Sequence, residues 1–219
     1  MAIKFNKLQG KASKSGPERF KFVDGLNQFR IVSPVIPQYK YWLKTKDDMS
    51  VPMDCLGFDR NQEKFTNKTK DWVRHYFPDL KCSWAYASFV IDRTDGKLKI
   101  IDHKKKIFEQ IILTAKKLGD PTDWKTGWDI VVERERTGPK PFNVVYHLDA
   151  LGCQETKGPL SDEDKATIEK EEMPDIEEFL RVPTPEEQKK FIEERILPDE
   201  SDEDVDEEAV EAATGTDDL

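Results

Sequence analysis

Apolar and polar residues alternate with a period of two along much of residues 26–147, the pattern of strands with one buried face. Phe29, Ile31 and Val32 mark a first strand, stopped by Pro34 and Pro37. From Tyr39 to Thr45 the alternation is regular: Tyr39, Tyr41 and Leu43 share one face, Lys40, Trp42 and Lys44 the other. Residues 56–80 are polar with little period, apart from a short helix expected within Thr66–Phe77. Ser83–Arg93 reads as a strong strand that turns through Thr94-Asp95-Gly96 into Lys97–Asp102, and Asp-Gly between alternating runs is a hairpin signal. The period then lengthens to that of a helix. Ile107, Phe108, Ile111, Ile112, Ala115 and Leu118 form one apolar stripe over residues 104–118, with Gly119 placed to cap the C-terminus. Trp128–Arg136 and Phe142–His147 make a second hairpin around Gly138-Pro139-Lys140-Pro141.

This order predicts a mainly β fold, a five-stranded OB-fold barrel over residues 25–150 with an inserted helix. Downstream, Ser161-x-x-Asp164 and Thr184-Pro185-Glu186-Glu187 resemble capping boxes that start short helices at about 162–171 and 185–196. Pro174, Pro183, Pro185 and Pro198 divide residues 151–197 into pieces too short for their own core, so these helical segments are expected to pack along the barrel. Residues 1–24 read as a flexible basic arm, with Lys4, Lys7, Lys11, Lys14, Arg19 and Lys21 facing Glu18 and Asp24. Residues 198–219 read as a disordered acidic tail. The 21 residues from Asp199 hold 11 acids and no Lys or Arg.

Charge changes the picture. The chain of 219 residues has a formal net charge of −9, which alone would argue against a polyanion as partner. Yet residues 1–150 carry 28 Lys and Arg against 19 Asp and Glu, whereas residues 151–219 carry 7 against 25. A basic body joined to an acidic tail is the distribution expected of a nucleic-acid binder that also meets other proteins. Its bland counterpart is an ordinary domain with a solubilising end. No apolar run approaches the roughly 20 residues of a membrane span, and the N-terminal stretch lacks the apolar core of a secretory signal. Cys55, Cys82 and Cys153 are odd in number and far apart, which suits a reducing cytoplasm better than a disulfide framework.

Binding a single strand without reading its sequence needs a cationic path for phosphates and aromatic faces for bases. The face Lys40, Trp42 and Lys44 offers both. Trp84 and Tyr86 share a face opposite Ala85, Ala87 and Phe89, and the alternation leaves open which face fills the barrel. Lys97 and Lys99 alternate with Leu98 and Ile100 and should point outward. Arg134 and Arg136 share a face with Ile130 and Val132, an awkward place for charge unless solvent or ligand reaches it. Lys104, Lys105 and Lys106 open a helix whose N–H groups favour anions. Catalytic signatures are missing: His75, His103 and His147 are scattered, and there is no Walker loop, GxGxxG or HExxH, so the chain is not expected to be an enzyme or to need a cofactor. Cys55, His75 and Cys82 lack the C-x-x-C pair of a zinc site.

Several blocks recur in a family-like order: Phe29-Arg30-Ile31, Phe89 to Lys97, Ile107-Phe108-Glu109-Gln110-Ile111, Gly119 to Trp124, Trp128 to Arg134, and Pro183 to Glu187. Together they resemble the single-stranded DNA-binding proteins of tailed phages and their prophages, OB-fold relatives of the phage helix-destabilising replication protein. The resemblance spans residues 26–195. It implies a protein of the host cytoplasm that coats exposed DNA during replication, recombination and repair. In that family an acidic C-terminus contacts partner proteins and competes with DNA, a role that would fall here to Asp202, Glu203, Asp204, Asp206, Glu207, Glu208, Asp217, Asp218 and Leu219. Arg93, Lys97 and Arg134 match the family's basic positions, and Trp84 its aromatic one. The cysteine cluster common in the family is reduced to Cys55 and Cys82. Lys11-Ala12-Ser13-Lys14-Ser15 loosely echoes a self-association segment, so the arm is expected to join neighbours along DNA. An RNA-binding OB protein and an acidic-tailed adaptor without nucleic-acid binding are the competing readings.

Overall fold

The structure, a computed structural model, describes residues 16–103, 105–140 and 143–198. Residues 1–15 of the expected arm, Lys104, and the acidic tail from Asp199, with every residue proposed there as a partner contact, lie outside the described residues. The strands are β1 (Glu18–Arg19), β2 (Gly25–Ile31), β3 (Ile36–Lys44), β4 (Ser50–Asp54), β5 (Phe58–Asp59) and β6 (Lys64–Phe65). Helix α1 (Trp72–Tyr76) is followed by β7 (Ser83–Asp92), β8 (Leu98–His103), α2 (Lys105–Leu118), β9 (Ile130–Arg136) and β10 (Val144–Leu148). Four helices close the described chain: α3 (Ala150–Glu155), α4 (Asp162–Lys170), α5 (Ile176–Phe179) and α6 (Pro185–Arg195).

The chain folds as two units. One holds residues 16–38 and 84–181, the other residues 39–83 and 182–198. In the first, the sheet runs β1-β8-β7-β2-β9-β10, antiparallel except for β1, which lies parallel to β8. The fold is thus mainly β with a mixed sheet, whose path of six strands, with β3 and β4 off it, makes eight where five were expected. One strand outside the expected set, β1, comes from the segment assigned to the arm. Glu18 and Arg19 pair with Lys99 and Ile100, and the Phe20 amide donates to the Ile100 carbonyl at 2.8 Å. Phe20 and Phe22 pack on Phe29, a contact that the charge of the arm concealed. Residues 16–24 are therefore part of the fold.

Period-two alternation gives this sheet two apolar faces. Phe29, Ile31, Val90, Ile101, Ile130 and Val132 pack against Ile107, Phe108 and Ile111 of α2. Phe89, Ile91, Leu98 and Ile100 pack on the other side against Leu160, Ile168 of α4 and Ile176 of α5. The hairpin between β7 and β8 turns at Gly96, whose φ of +67° suits a residue without Cβ. Gly119 ends α2 with φ +95°. Among the polar side chains buried in this unit is His103, 1% exposed, with Nε2 2.8 Å from the Ser88 hydroxyl and Nδ1 lacking a partner among the described residues. Burial pushes its pKa down from 6.5 to about 3. Because the unfolded chain takes up a proton that the folded chain refuses, stability should fall as pH drops from about 6.5 towards 3. Urea midpoints measured from pH 7 to pH 5 should decline, and His103→Asn should flatten that decline; a slope shared by both proteins would show that His103 does not cause it.

The second unit has its own core. Tyr41, Leu43, Met53, Cys55, Val73 and Ile192 are buried together, bringing the β3–β4 hairpin, α1 and α6 around one apolar centre. Gln188, fully buried, ties the pieces: its Oε1 accepts from the Trp72 amide at 2.7 Å, and its Nε2 donates to the Asp54 carbonyl at 3.0 Å. Helices α4 and α5 pack on the sheet of the first unit, whereas α6 closes the core of the second. Both capping boxes are formed, Ser161 with Asp164 and Thr184 with Glu187. Among the described residues, no helix is long and apolar enough to cross a membrane.

Candidate nucleic-acid interface

Strand β3 sorts its residues by alternation. Tyr41 and Leu43 are buried, while Trp42 on the opposite face is 57% exposed. Lys40 is half-buried and Lys44 exposed. Lys44 holds Asp48 at 2.7 Å, an exposed pair of little energetic weight that a phosphate can replace. In the same unit stands an aromatic platform that sequence reasoning missed. Asp71 caps α1 by accepting from the amides of Val73 and Arg74, which fixes Trp72 and Tyr76 one turn apart. Their rings stack at 5.9 Å and 26°, with Lys70 Nζ 3.5 Å and Lys189 Nζ 4.9 Å from the Trp72 ring. The Asp71 cap followed by Trp-Val-Arg-His-Tyr was the available signal. Lys189, more than a hundred residues away, was not foreseeable from it.

The question left open for β7 has a geometric answer. Tyr86 lies over Phe108 at 4.1 Å and 21°, so it belongs to the core beneath α2. Trp84 stands two residues nearer the strand's start, edge-on to Tyr86 at 5.1 Å, with Lys105 Nζ 5.3 Å from its ring. Ala87 and Phe89 are buried on the other face. Trp84 and Lys105 thus place a half-buried indole and an exposed ammonium side by side at the start of α2.

Other basic candidates are engaged elsewhere. Arg93 donates to Asp129 at 2.8 and 3.0 Å and to Asp164 at 2.6 Å. Burial disfavours its charge, but these carboxylates outweigh that and raise its pKa. Lys99 sits 2.6 Å from Asp92 and 2.8 Å from Asp95. Both side chains are fold-internal ion pairs, and the outward direction expected of Lys99 is corrected by these partners. Lys97 is exposed. Arg134 pairs with Asp24, and Arg136 Nε lies 3.3 Å from the same carboxylate. Of the expected set, the structure brings Trp84 and Lys105 together in one unit and Lys40, Trp42 and Lys44 in the other.

Cys55 lies 3.3 Å from the Tyr41 hydroxyl, and burial pushes its thiol up to about 12. Among the described residues no group of three or more His, Cys, Asp or Glu side chains is placed to hold a metal ion.

No family model matches the chain. It is 32% identical over a 209-residue alignment, covering 80% of this chain and 79% of the other, to a protein of Escherichia phage T5 described as a probable ssDNA-binding protein.

Proposed function

We propose that this chain, which belongs to the phage single-stranded DNA-binding protein family, coats single-stranded DNA without reading its sequence during replication, recombination and repair. The observation that carries this reading is the pairing of Trp84 with Lys105. A base arriving on the indole takes the ring face near which the ammonium rests, and the ammonium moves to the adjoining phosphate. Exposed Trp42 between Lys40 and Lys44 is a second stacking position of the same kind, and Trp72 with Lys70 and Lys189 a third. Stacking on such rings tolerates any base, because every base has a π-face. The helix between β8 and β9 fits the OB-type reading of the first unit. Arg93 and Lys99 are assigned to stability rather than to DNA.

The protein acts by binding alone, without a catalytic step or cofactor, in the cytoplasm of the host. Its acidic C-terminus recruits replication or recombination proteins and competes with DNA for the cationic surface, and the basic N-terminal residues link neighbouring copies along the strand. Titrating intact protein and residues 1–198 with oligo-dT at two salt concentrations tests the reading. Log affinity should fall linearly with log salt, because neutralised phosphates release counterions. The shortened protein should bind more tightly, most clearly at low salt, where screening is weakest. Affinity for a duplex equal to that for oligo-dT would refute single-strand binding, and tighter binding to an RNA of equal length would move the function to RNA.

A further inference from the structure

The terminal strands of the first unit's sheet, β1 and β10, leave a seam between them. Register places Tyr146 directly opposite Arg134, on the sheet face that also carries Phe29, Ile130 and Val132. From the far edge, Phe20 and Phe22 reach the same side, and Phe22 meets Tyr146 at a centroid distance of 5.2 Å and an angle of 68°. Between them lies a cavity of about 240 Å³, lined by these three rings together with Arg19, Arg134 and Asp102. That is far beyond the roughly 10–15 Å³ needed to lodge one water. It is sized for a ligand group.

Its chemistry narrows the ligand. Three aromatic walls select a flat ring, and two guanidinium groups select an anion bonded to that ring. An aliphatic chain would leave the arginines unused, and a bare anion would leave the rings unused. Each arginine is at present neutralised by a carboxylate at the rim: Arg19 pairs with Asp102, and Arg134 with Asp24. Asp24 is 52% exposed and also reaches Arg136, so it can leave the cavity mouth without being drawn from a buried position. A carboxylate held this way keeps the guanidinium groups positioned for a phosphate.

We propose that the seam cavity receives one deoxynucleotide of the bound strand, its base against Tyr146 and Phe22 and its phosphate on Arg19 and Arg134, with Asp24 the counter-ion that the phosphate displaces. The proposal rests on single-strand binding as proposed above and adds a site apart from Trp84. One residue per bound strand leaves the stack, and the bound strand is anchored at a fixed point. The rim carboxylate sets the strength of that anchor.

Photo-crosslinking of oligo-dT carrying 5-iododeoxyuridine, with the attached residues mapped by mass spectrometry, is the direct test. Crosslinks on Phe20, Phe22 or Tyr146 are expected. Affinity of Asp24→Asn for oligo-dT at low salt should rise about threefold or more, and that of Tyr146→Ala should fall about tenfold, a typical loss for one stacked base. Arg19→Gln, a change at a side chain 57% exposed, should weaken binding without disturbing the fold. Crosslinks confined to other residues, or Asp24→Asn binding no more tightly than the parent protein, would overturn the proposal. Thymidine 5′-monophosphate serves as the competitor. If it saturates the same residues without lowering affinity for the oligonucleotide, the cavity serves a free nucleotide and the proposal falls. A parent protein that ignores oligo-dT altogether defeats single-strand binding as well, so the two failures are distinguishable.

Discussion

Trp84→Ala is expected to weaken oligo-dT binding by about five- to 150-fold, the loss of about 1–3 kcal/mol attached to one base–aromatic stack. Trp84 packs edge-on against Tyr86 rather than inside the core, so its removal should leave the urea midpoint nearly unchanged. Trp84→Phe keeps a smaller π-face and should recover most of the affinity. Lys105→Gln should instead flatten the salt dependence, because it removes one phosphate contact and with it about one released counterion. Titrations of the three variants against oligo-dT at two salt concentrations separate stacking from charge. If Trp84→Ala binds as the parent does, the indole does not touch DNA and Trp42 or Trp72 must carry the stack.

The other large effect is on stability. Asp129 and Asp164 are each nearly buried, with side chains 7% and 6% exposed, and Arg93 bridges them. Removing Arg93 would strand Asp164 and leave Asp129 with Arg30, 3.8 Å away, as its remaining cation, and breaking a buried pair typically costs about 3–5 kcal/mol. Arg93→Ala should lose stability on that scale, and Arg93→Lys should recover little, since an ammonium lacks the planar fork with which Nε and Nη2 hold both oxygens of Asp129. The pH behaviour follows from Asp164. Burial acts to raise its pKa, but hydrogen bonds and charge from Arg93 together with Ser161 outweigh burial and hold it below the ordinary carboxylate range. A depressed folded-state pKa stabilises above the unfolded value of about 3.9 and ceases to do so as pH falls through the folded value. Acid unfolding of the parent should therefore carry a contribution below about pH 4 that Arg93→Ala lacks. A loss under about 1 kcal/mol in urea melts would show that the triad is incidental.

Arg93 also shows where sequence reading stops. Alternation along β7 and the Asp95-Gly96 turn made the hairpin legible, and the 3.6-residue stripe with Gly119 made α2 legible to within a residue of Lys105–Leu118. Both capping boxes were legible because their partners lie three residues apart. Arg93 meets carboxylates 36 and 71 residues away, a distance over which no local period carries information. The same limit hid the second core. Ile192 and Gln188 are buried among residues 41–73, yet α6 is polar enough around its circumference to read as a surface helix. Trp42 faces outward on β3 because Tyr41 and Leu43 supply a core face within one strand, an alternation the sequence displays. For Trp84 and Tyr86 alternation offered two equal faces, and only the position of Phe108 decides between them.

The closure of the second core by α6 has a consequence for synthesis on the ribosome. Residues 39–83 emerge with Tyr41, Val73 and the Asp54 carbonyl still lacking Ile192 and Gln188. About a hundred more residues must be translated before those arrive, which at about 5–20 residues per second is a wait of about 5–20 seconds. During that interval the nascent chain exposes an incomplete apolar surface rich in aromatic rings. Any shortened version that stops before residue 197 would keep that surface exposed permanently, so the boundary for tail removal falls just beyond α6.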